Sequence, residues 1–135
     1  MTTPYDSALR HNARTLNSLR LEIARAVSED EALARRSRML GETAQRARAD
    51  QVRDPLLDTS RYLAQAAAHR RSIERRRLEV AAEMGKLQDS AGSVAAELQA
   101  IRQLAATHRL TEVRRRNAAE QRGIDDRFAA LRRLR

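Results

Sequence analysis

The stretch RDPLLDTSRYL at residues 53–63 decides the fold, because it separates two long helical patterns. Pro55 cannot continue a helix and pushes Asp54 out of the helical region, so one helix has to end near this point. Three polar residues that follow can each cap the next helix: Asp58, Thr59 and Ser60. The sequence therefore predicts a first helix over residues 7–52, a turn over 53–59 and a second helix over 60–133.

On both sides of the turn, hydrophobic residues recur every seven positions in two interleaved sets, which is typical of the seam of a coiled coil. In the first helix the sets are Leu9, Leu16, Ile23, Asp30, Ser37 and Ala44, with Leu19, Ala26, Leu33, Leu40 and Ala47. In the second helix they are Ile73, Val80, Leu87, Val94 and Ile101, with Leu63, Met84, Ala91, Leu98 and Ala105. The pattern predicts an all-α, single-domain protein in which two long helices form an antiparallel coiled-coil hairpin. Gly85 and Gly92 leave open an alternative, a bundle in which the second helix is broken.

Polar residues interrupt the seam of each helix, at Asp30 and Ser37 in the first and at Arg70 and Arg77 in the second. Folding the chain back at the turn places Asp30 within one layer of Arg77. We therefore predict that these two residues meet and set the register of the hairpin. The alternative is that the Arg77 side chain extends past the seam to water.

The second helix is predicted to be longer than its partner. If the first helix begins near residue 7, its pairing ends near residue 103, which leaves about thirty residues, on the order of 45 Å of helix, beyond the paired region. The hydrophobic residues of this part leave the earlier frame: Leu110, Val113, Ile124, Phe128 and Leu131. We expect this overhang to bind a partner; it could also pack on the N-terminus or on a second copy of the chain.

Composition limits the classes of function that fit. The chain of 135 residues has only three aromatic side chains and no cysteine, so a thick core, disulfides and thiolate metal sites are not expected. Its three histidines are far apart, and four glycines form no phosphate-binding loop. We expect no enzyme activity, no metal and no cofactor. No hydrophobic stretch has the length of a signal peptide or a membrane span, so a soluble, cytoplasmic protein without membrane insertion is expected.

Positive charge is concentrated after the turn. The formal charge is +9, and residues 55–135 carry 17 Lys and Arg against 10 acids, whereas residues 1–54 carry 10 Arg against 8 acids. Glu74 interrupts the arginine run at 70–77, Glu112 and Glu120 flank the run at 114–116, and no aromatic platform for nucleic-acid bases is present. No specific nucleic-acid partner is expected. Two alternatives stay open: a dimeric coiled-coil scaffold or adaptor, and a basic nucleic-acid-binding helical protein.

The C-terminal stretch resembles a run found in the FliJ family of flagellar export proteins, small cytoplasmic proteins that fold as two-helix antiparallel coiled coils. The resemblance lies in a basic residue, a Glu-Gln-basic triplet and an acidic pair: Arg116, Glu120, Gln121, Arg122, Asp125 and Asp126. The turn sequence DPLLDTSRYL is also similar to that of many family members. The usual start of the family is present only as LNSLRLEI at 16–23, and small residues separate the basic pair from Glu120.

The resemblance implies a stalk that enters the pore of the hexameric export ATPase, contacts the cytoplasmic domain of the export gate and escorts export chaperones. Such a protein is associated peripherally with the membrane export apparatus of a flagellum or of a virulence secretion system. The resemblance implies ring contacts by Arg114, Arg115, Arg116, Gln121, Arg122, Asp125 and Asp126. At the hairpin turn it implies gate or chaperone contacts by Leu57, Tyr62 and Leu63.

Overall fold

The structure is a computed structural model that describes residues 2–134, in which two α-helices are found, α1 (Asp6–Arg53) and α2 (Ser60–Arg133). The predicted fold class is confirmed. Helix α1 has 48 residues and α2 has 74, the two pack antiparallel, and residues 2–134 form no strand. The observed helix ends lie close to the predicted ones, because proline and the polar residues of the turn fix both of them locally.

Helix α1 ends in a β-turn built around Pro55. The Asp54 backbone N–H still donates to the carbonyl of Asp50 at 2.9 Å, which completes the last turn of the helix. The Asp54 carbonyl then accepts from the Leu57 N–H at 3.0 Å, so Pro55 occupies the second position of the turn, where its fixed φ is favoured. The chain therefore reverses over a few residues directly after the last hydrogen-bonded turn of α1.

Helix α2 begins with a cap shared between two residues. The carbonyl of Thr59 accepts the first helical hydrogen bond, from the Leu63 N–H at 2.9 Å. The Asp58 carboxylate accepts from both the backbone N–H (3.0 Å) and the hydroxyl (2.7 Å) of Ser60, and these bonds lower the pKa of Asp58. The buried Thr59 hydroxyl donates to the side chain of Gln51 in α1, so the cap also joins the two helices.

The chain divides into two compact units. The turn unit, Asn17–Gly92, contains the turn and the helical parts on either side of it; the terminal unit comprises Met1–Leu16 and Ser93–Arg135. The hydrophobic core of the turn unit is Ala26, Ala44, Ala66, Ile73 and Val80. That of the terminal unit is Leu16, Leu98 and Ala105. Most of these side chains are small, so both cores are thin seams between two helices.

The seven-residue pattern describes the seam well. Every seam position predicted in α1 and α2 is buried or half-buried in the structure, with the single exception of Arg70. Val80 is the most deeply buried large side chain, with an exposure of 0%. We therefore expect the stability of the turn unit to depend more on the side chain at this position than on any other.

In the terminal unit, the N-terminal part of the chain contacts α2 beyond residue 103, where pairing was predicted to end. The ring of Tyr5 packs edge-on against that of His108, with 6.2 Å between ring centroids, and Asp6 lies 3.9 Å from Arg109. The predicted end of pairing near residue 103 was wrong, because the turn that precedes α1 also contacts α2. The exposed part of α2 is correspondingly shorter than thirty residues and begins at residue 113.

Hydrogen bonds between Thr3 and the Asp6 carboxylate hold this N-terminal turn. The Asp6 carboxylate accepts from the hydroxyl of Thr3 at 2.7 Å and from its backbone N–H at 3.0 Å. The hydroxyl bond is the main reason that the pKa of Asp6 is lowered. Because the same carboxylate faces Arg109, this turn and the contact with α2 support each other.

Helix α2 continues through Gly85 and Gly92 without a break, and no glycine of residues 2–134 has a positive φ. The alternative of a broken second helix is therefore wrong. Both glycines lie in ordinary helical conformation, where glycine is less favourable than alanine.

We expect Gly85→Ala to stabilise the protein by about 0.5–1 kcal/mol, since alanine restricts the unfolded chain and a Cβ at this position meets nothing within 4 Å. Gly41→Ala is the matched control: its Cβ would lie 3.3 Å from the guanidinium carbon of Arg70, which has to move aside. Thermal unfolding followed by circular dichroism should give the larger increase in Tm for Gly85→Ala. A larger gain at Gly41 would contradict this reasoning.

Candidate functional site

The C-terminal segment, residues 113–134, is the largest exposed element of the described chain. It is helical up to the end of α2 at Arg133, and each of its residues is exposed. It carries seven arginines against three acids, a net charge of +4. A single charged helix gains little from its own hydrogen bonds, so such a segment is expected to be stabilised mainly by what it binds.

Four exposed hydrophobic side chains lie near the end of this segment, and all but Leu134 belong to α2. Ile124, Phe128 and Leu131, which we name the stripe, are 44%, 62% and 61% exposed. They follow each other at four and three residues, so they share one face of the helix. Upstream the same face carries the polar Asn117 and Gln121, which confine the stripe to two helical turns.

The seven residues for which the resemblance implies ring contacts all lie on this segment, but they do not share a face. Helical spacing divides them into three groups, namely Arg114 with Gln121 and Asp125, Arg115 with Arg122 and Asp126, and Arg116 by itself. A partner that touches one side of the helix can contact at most two of these groups. Contact with all seven requires a partner that surrounds the helix.

The polar side chains of the segment make only local contacts. Gln121 Nε2 donates to Asp125 Oδ1 at 3.1 Å, and Arg115 lies 3.4 Å from Glu112. These are exposed bonds within one helix and contribute little to stability. Among residues 2–134, no carboxylate lies within ion-pair distance of Arg114 or Arg116. Their guanidinium groups remain available to acidic groups of a partner.

The hairpin turn exposes a second hydrophobic surface. Of the residues predicted there for gate or chaperone contacts, Leu57 and Tyr62 are exposed, whereas Leu63 is half-buried in the seam. Leu56 and Val52 were not predicted, although they are 95% and 82% exposed. The exposed surface at the turn is thus wider than the resemblance implied, and Leu56 is its most exposed member.

The predicted register-setting residues are in contact in the turn unit. Arg77 Nε donates to Asp30 Oδ1 at 2.9 Å, and a second guanidinium nitrogen lies 3.4 Å from Oδ2. This fork-shaped hydrogen bond lowers the pKa of Asp30 and raises that of Arg77. Both side chains are about one-third exposed, at 34% for Arg77 and 31% for Asp30. The contact therefore lies at the edge of the seam, where water weakens the attraction.

A second polar layer lies one heptad closer to the turn and was not predicted. The buried Ser37 hydroxyl donates to the Glu74 carboxylate at 3.4 Å and accepts from Arg70 at 3.5 Å. The Arg70 guanidinium reaches this position over Gly41, where the missing side chain leaves room for it. Ser37 lies seven residues after Asp30, and Arg70 lies seven residues before Arg77. This spacing was the sequence signal that could have revealed the layer.

A bidentate ion pair next to the seam was also not predicted. Arg76 donates to both carboxylate oxygens of Glu29, at 2.8 and 3.2 Å, and also lies within 3.3 Å of Glu79 and Glu83. Three carboxylates around one guanidinium raise the pKa of Arg76, the bond with Glu29 being the largest cause. The group joins α1 to α2 on the side of the seam next to Asp30.

We expect the Asp30 contact to make stability depend on pH below its ordinary pKa of 3.8. A carboxylate with a lowered folded-state pKa stabilises the protein above the unfolded-state pKa, and this contribution is lost as pH falls through the folded-state value. Asp30→Asn should therefore have a lower Tm than wild type near pH 6, and the gap should narrow towards about pH 3. Asp6 and Asp58 titrate in both proteins and cancel in this comparison. A gap in Tm that stays constant over this range would argue against the contact.

Residues 2–134 show no group of three His, Asp or Glu side chains arranged to hold a metal ion. Over the same residues, neither α1 nor α2 contains a stretch that is hydrophobic enough to cross a membrane.

Comparison of the chain with protein-family models, with curated proteins and with solved structures found no match in any of the three.

Proposed function

We propose that this chain is a stalk-like coiled coil of the flagellar type III protein export apparatus. In this proposal it binds the hexameric export ATPase, couples the ATPase to the export gate and escorts export chaperones. The proposal takes its partners from the resemblance to the FliJ family, on the residues named above. The observation that carries it is the C-terminal segment, a continuous helix that extends beyond its pairing with α1 and exposes every side chain.

The dimensions of the segment are compatible with insertion into a ring. A single helix with its side chains is about 10–12 Å wide, and residues 113–134 span about 33 Å. Its predicted contact residues face three sides, which suits a partner that encloses the helix. Exposed polar contacts form and break at low cost, and a stalk requires this if it turns within a ring.

The surface at the hairpin turn is the proposed contact for the export gate or the chaperones. It offers the exposed hydrophobic side chains of Leu56 and Leu57 and the exposed aromatic ring of Tyr62. Leu63 contributes to the seam, so we expect its replacement to act through stability as well as through binding.

Co-purification of the full chain with the export ATPase from the same genome tests the proposal. We expect Arg114→Ala, Arg115→Ala and Arg116→Ala together to weaken binding and to reduce the stimulation of ATP hydrolysis. The matched control removes the same charge from exposed residues of α1: Arg35→Ala, Arg36→Ala and Arg38→Ala. Salt near 0.15 M, with nuclease present, suppresses nonspecific attraction.

Equal loss of ATPase binding in the two triple variants would mean that net charge alone is responsible. Absence of binding by the wild-type chain would overturn the proposal. A stable dimer by light scattering, together with absent ATPase binding, would favour the scaffold function instead.

A further inference from the structure

The stripe has the spacing of a helix that binds in a groove. Ile124, Phe128 and Leu131 stand at positions i, i+4 and i+7, the arrangement by which hydrophobic helix faces anchor in grooves of partner proteins. Together with the stem of Arg127 they surround a shallow hydrophobic notch. Phe128 is the only phenylalanine of the chain and is 62% exposed. An aromatic side chain of this kind is a typical anchor at an interface.

Arginines border the stripe on both sides. Arg127 follows Ile124 by three residues and Arg132 follows Phe128 by four, so the two arginines lie on opposite edges of the hydrophobic face. Arg132 lines a second notch with Phe128 and Leu131. Within residues 2–134, no carboxylate lies at ion-pair distance from either arginine. The face thus consists of a short hydrophobic centre with one arginine at each edge, and Glu120 lies next to Ile124 on the Arg127 side.

We propose that the stripe, with Arg127 and Arg132, is a docking surface for a partner protein with a hydrophobic groove bordered by carboxylates. The hydrophobic centre supplies most of the affinity, since burial of large side chains dominates such contacts. The arginines select the orientation and the partner, because exposed charge pairs add specificity and a faster encounter. The proposal goes beyond the proposed function: it requires that the C-terminal segment binds a protein, whichever protein that is.

A second copy of the chain fits this surface poorly. The stripe covers only two helical turns, and a zipper of two segments would bring Asn117 or Arg114 of each copy into the upstream seam. Each segment also carries a net charge of +4. Stable helix pairs need a longer hydrophobic seam, and like charges oppose this one. An acidic groove satisfies both the hydrophobic residues and the arginines.

The first test is site-specific photocrosslinking of the full-length protein in its own cells. p-Benzoylphenylalanine replaces Phe128 in the stripe or, as the control, Ala130 on the opposite side of the helix. We expect a crosslink to a second protein from position 128 and none from position 130. The crosslinked peptide should lie in a hydrophobic surface that is flanked by Asp or Glu.

The second test measures affinity for the crosslinked protein after its purification. Phe128→Gln should weaken binding about tenfold or more. The control Leu104→Gln changes an exposed leucine elsewhere on α2 and should leave binding within about twofold. Arg127→Glu should weaken binding more at low salt than at high salt, whereas Arg133→Glu, on the far side of the helix, should have a smaller effect.

Crosslinking from position 128 to a second copy, equal crosslinking from both positions, or no crosslink at all would each overturn the proposal. So would a contact surface without carboxylates. Identification of the crosslinked protein separates this inference from the proposed function. An export ATPase supports both, while another protein with the stated groove supports the docking surface and argues against the export function.

Discussion

Val80→Asp is expected to unfold the helices of the turn unit. Val80 has an exposure of 0%. A carboxylate at this position would be buried without a partner, at a cost of about 3–5 kcal/mol. The core of the unit is mostly alanine, so little other hydrophobic burial is available to offset such a loss. We expect a decrease in Tm on the order of 10–20 °C.

Leu78→Asp is the matched control for this experiment. It introduces the same residue two positions away in the same helix, but Leu78 is 73% exposed. The change should cost about 0.5 kcal/mol, mainly through helix propensity. Circular dichroism at 222 nm during heating compares the two variants. Similar losses of helix in both would mean that Val80 is not the centre of the seam.

Removal of residues 114–135 is expected to abolish partner binding while leaving the paired helices intact. Each described residue removed by this deletion is exposed, so little buried hydrophobic area is lost. Tm should therefore change by no more than about 2 °C. Affinity for the export ATPase, or for the crosslinked protein, should fall by about a hundredfold or more, since the stripe and all seven arginines of the C-terminal segment are removed.

The deletion has to leave Tyr5, Asp6, His108 and Arg109 in place, because these residues join the N-terminal turn to α2. A variant shortened further, to Leu104, would lose this contact and the buried Ala105 as well. Weaker binding by that shorter variant could then come from lost stability. A large drop in Tm after removal of 114–135 would show that the segment packs on the rest of the chain in solution.

The seam and the turn could be predicted from the sequence because both depend on local rules. Proline ends a helix in almost any context, and Pro55 does so here. The seven-residue repeat identifies the buried face of each helix without knowledge of the partner helix. The contact between Asp30 and Arg77 followed from the same repeat, since two polar residues in facing seams have few other partners. These predictions required only spacing and chemical type.

Other contacts could not be predicted because they depend on where long side chains extend. Arg76 lies beside the seam, and which of several nearby carboxylates it meets is decided by its rotamer. The contact of Tyr5 with His108 depends on a turn before α1, for which the repeat gives no information. In the candidate site, the sequence identified the basic segment. The spacing of the predicted ring residues on the predicted helix also gives the three sides that they face.

The two polar layers have a mechanical consequence for the turn unit. A slip of α2 by seven residues in one direction would bring Arg70 to Asp30, but it would also place Arg77 beside Ile23. A slip in the other direction would bring Arg77 to Ser37 and leave Asp30 beside Met84. Each slip leaves a charge beside a hydrophobic side chain, which is costly. Within this unit, the two helices are therefore locked against sliding, and tension applied along one of them is carried by both.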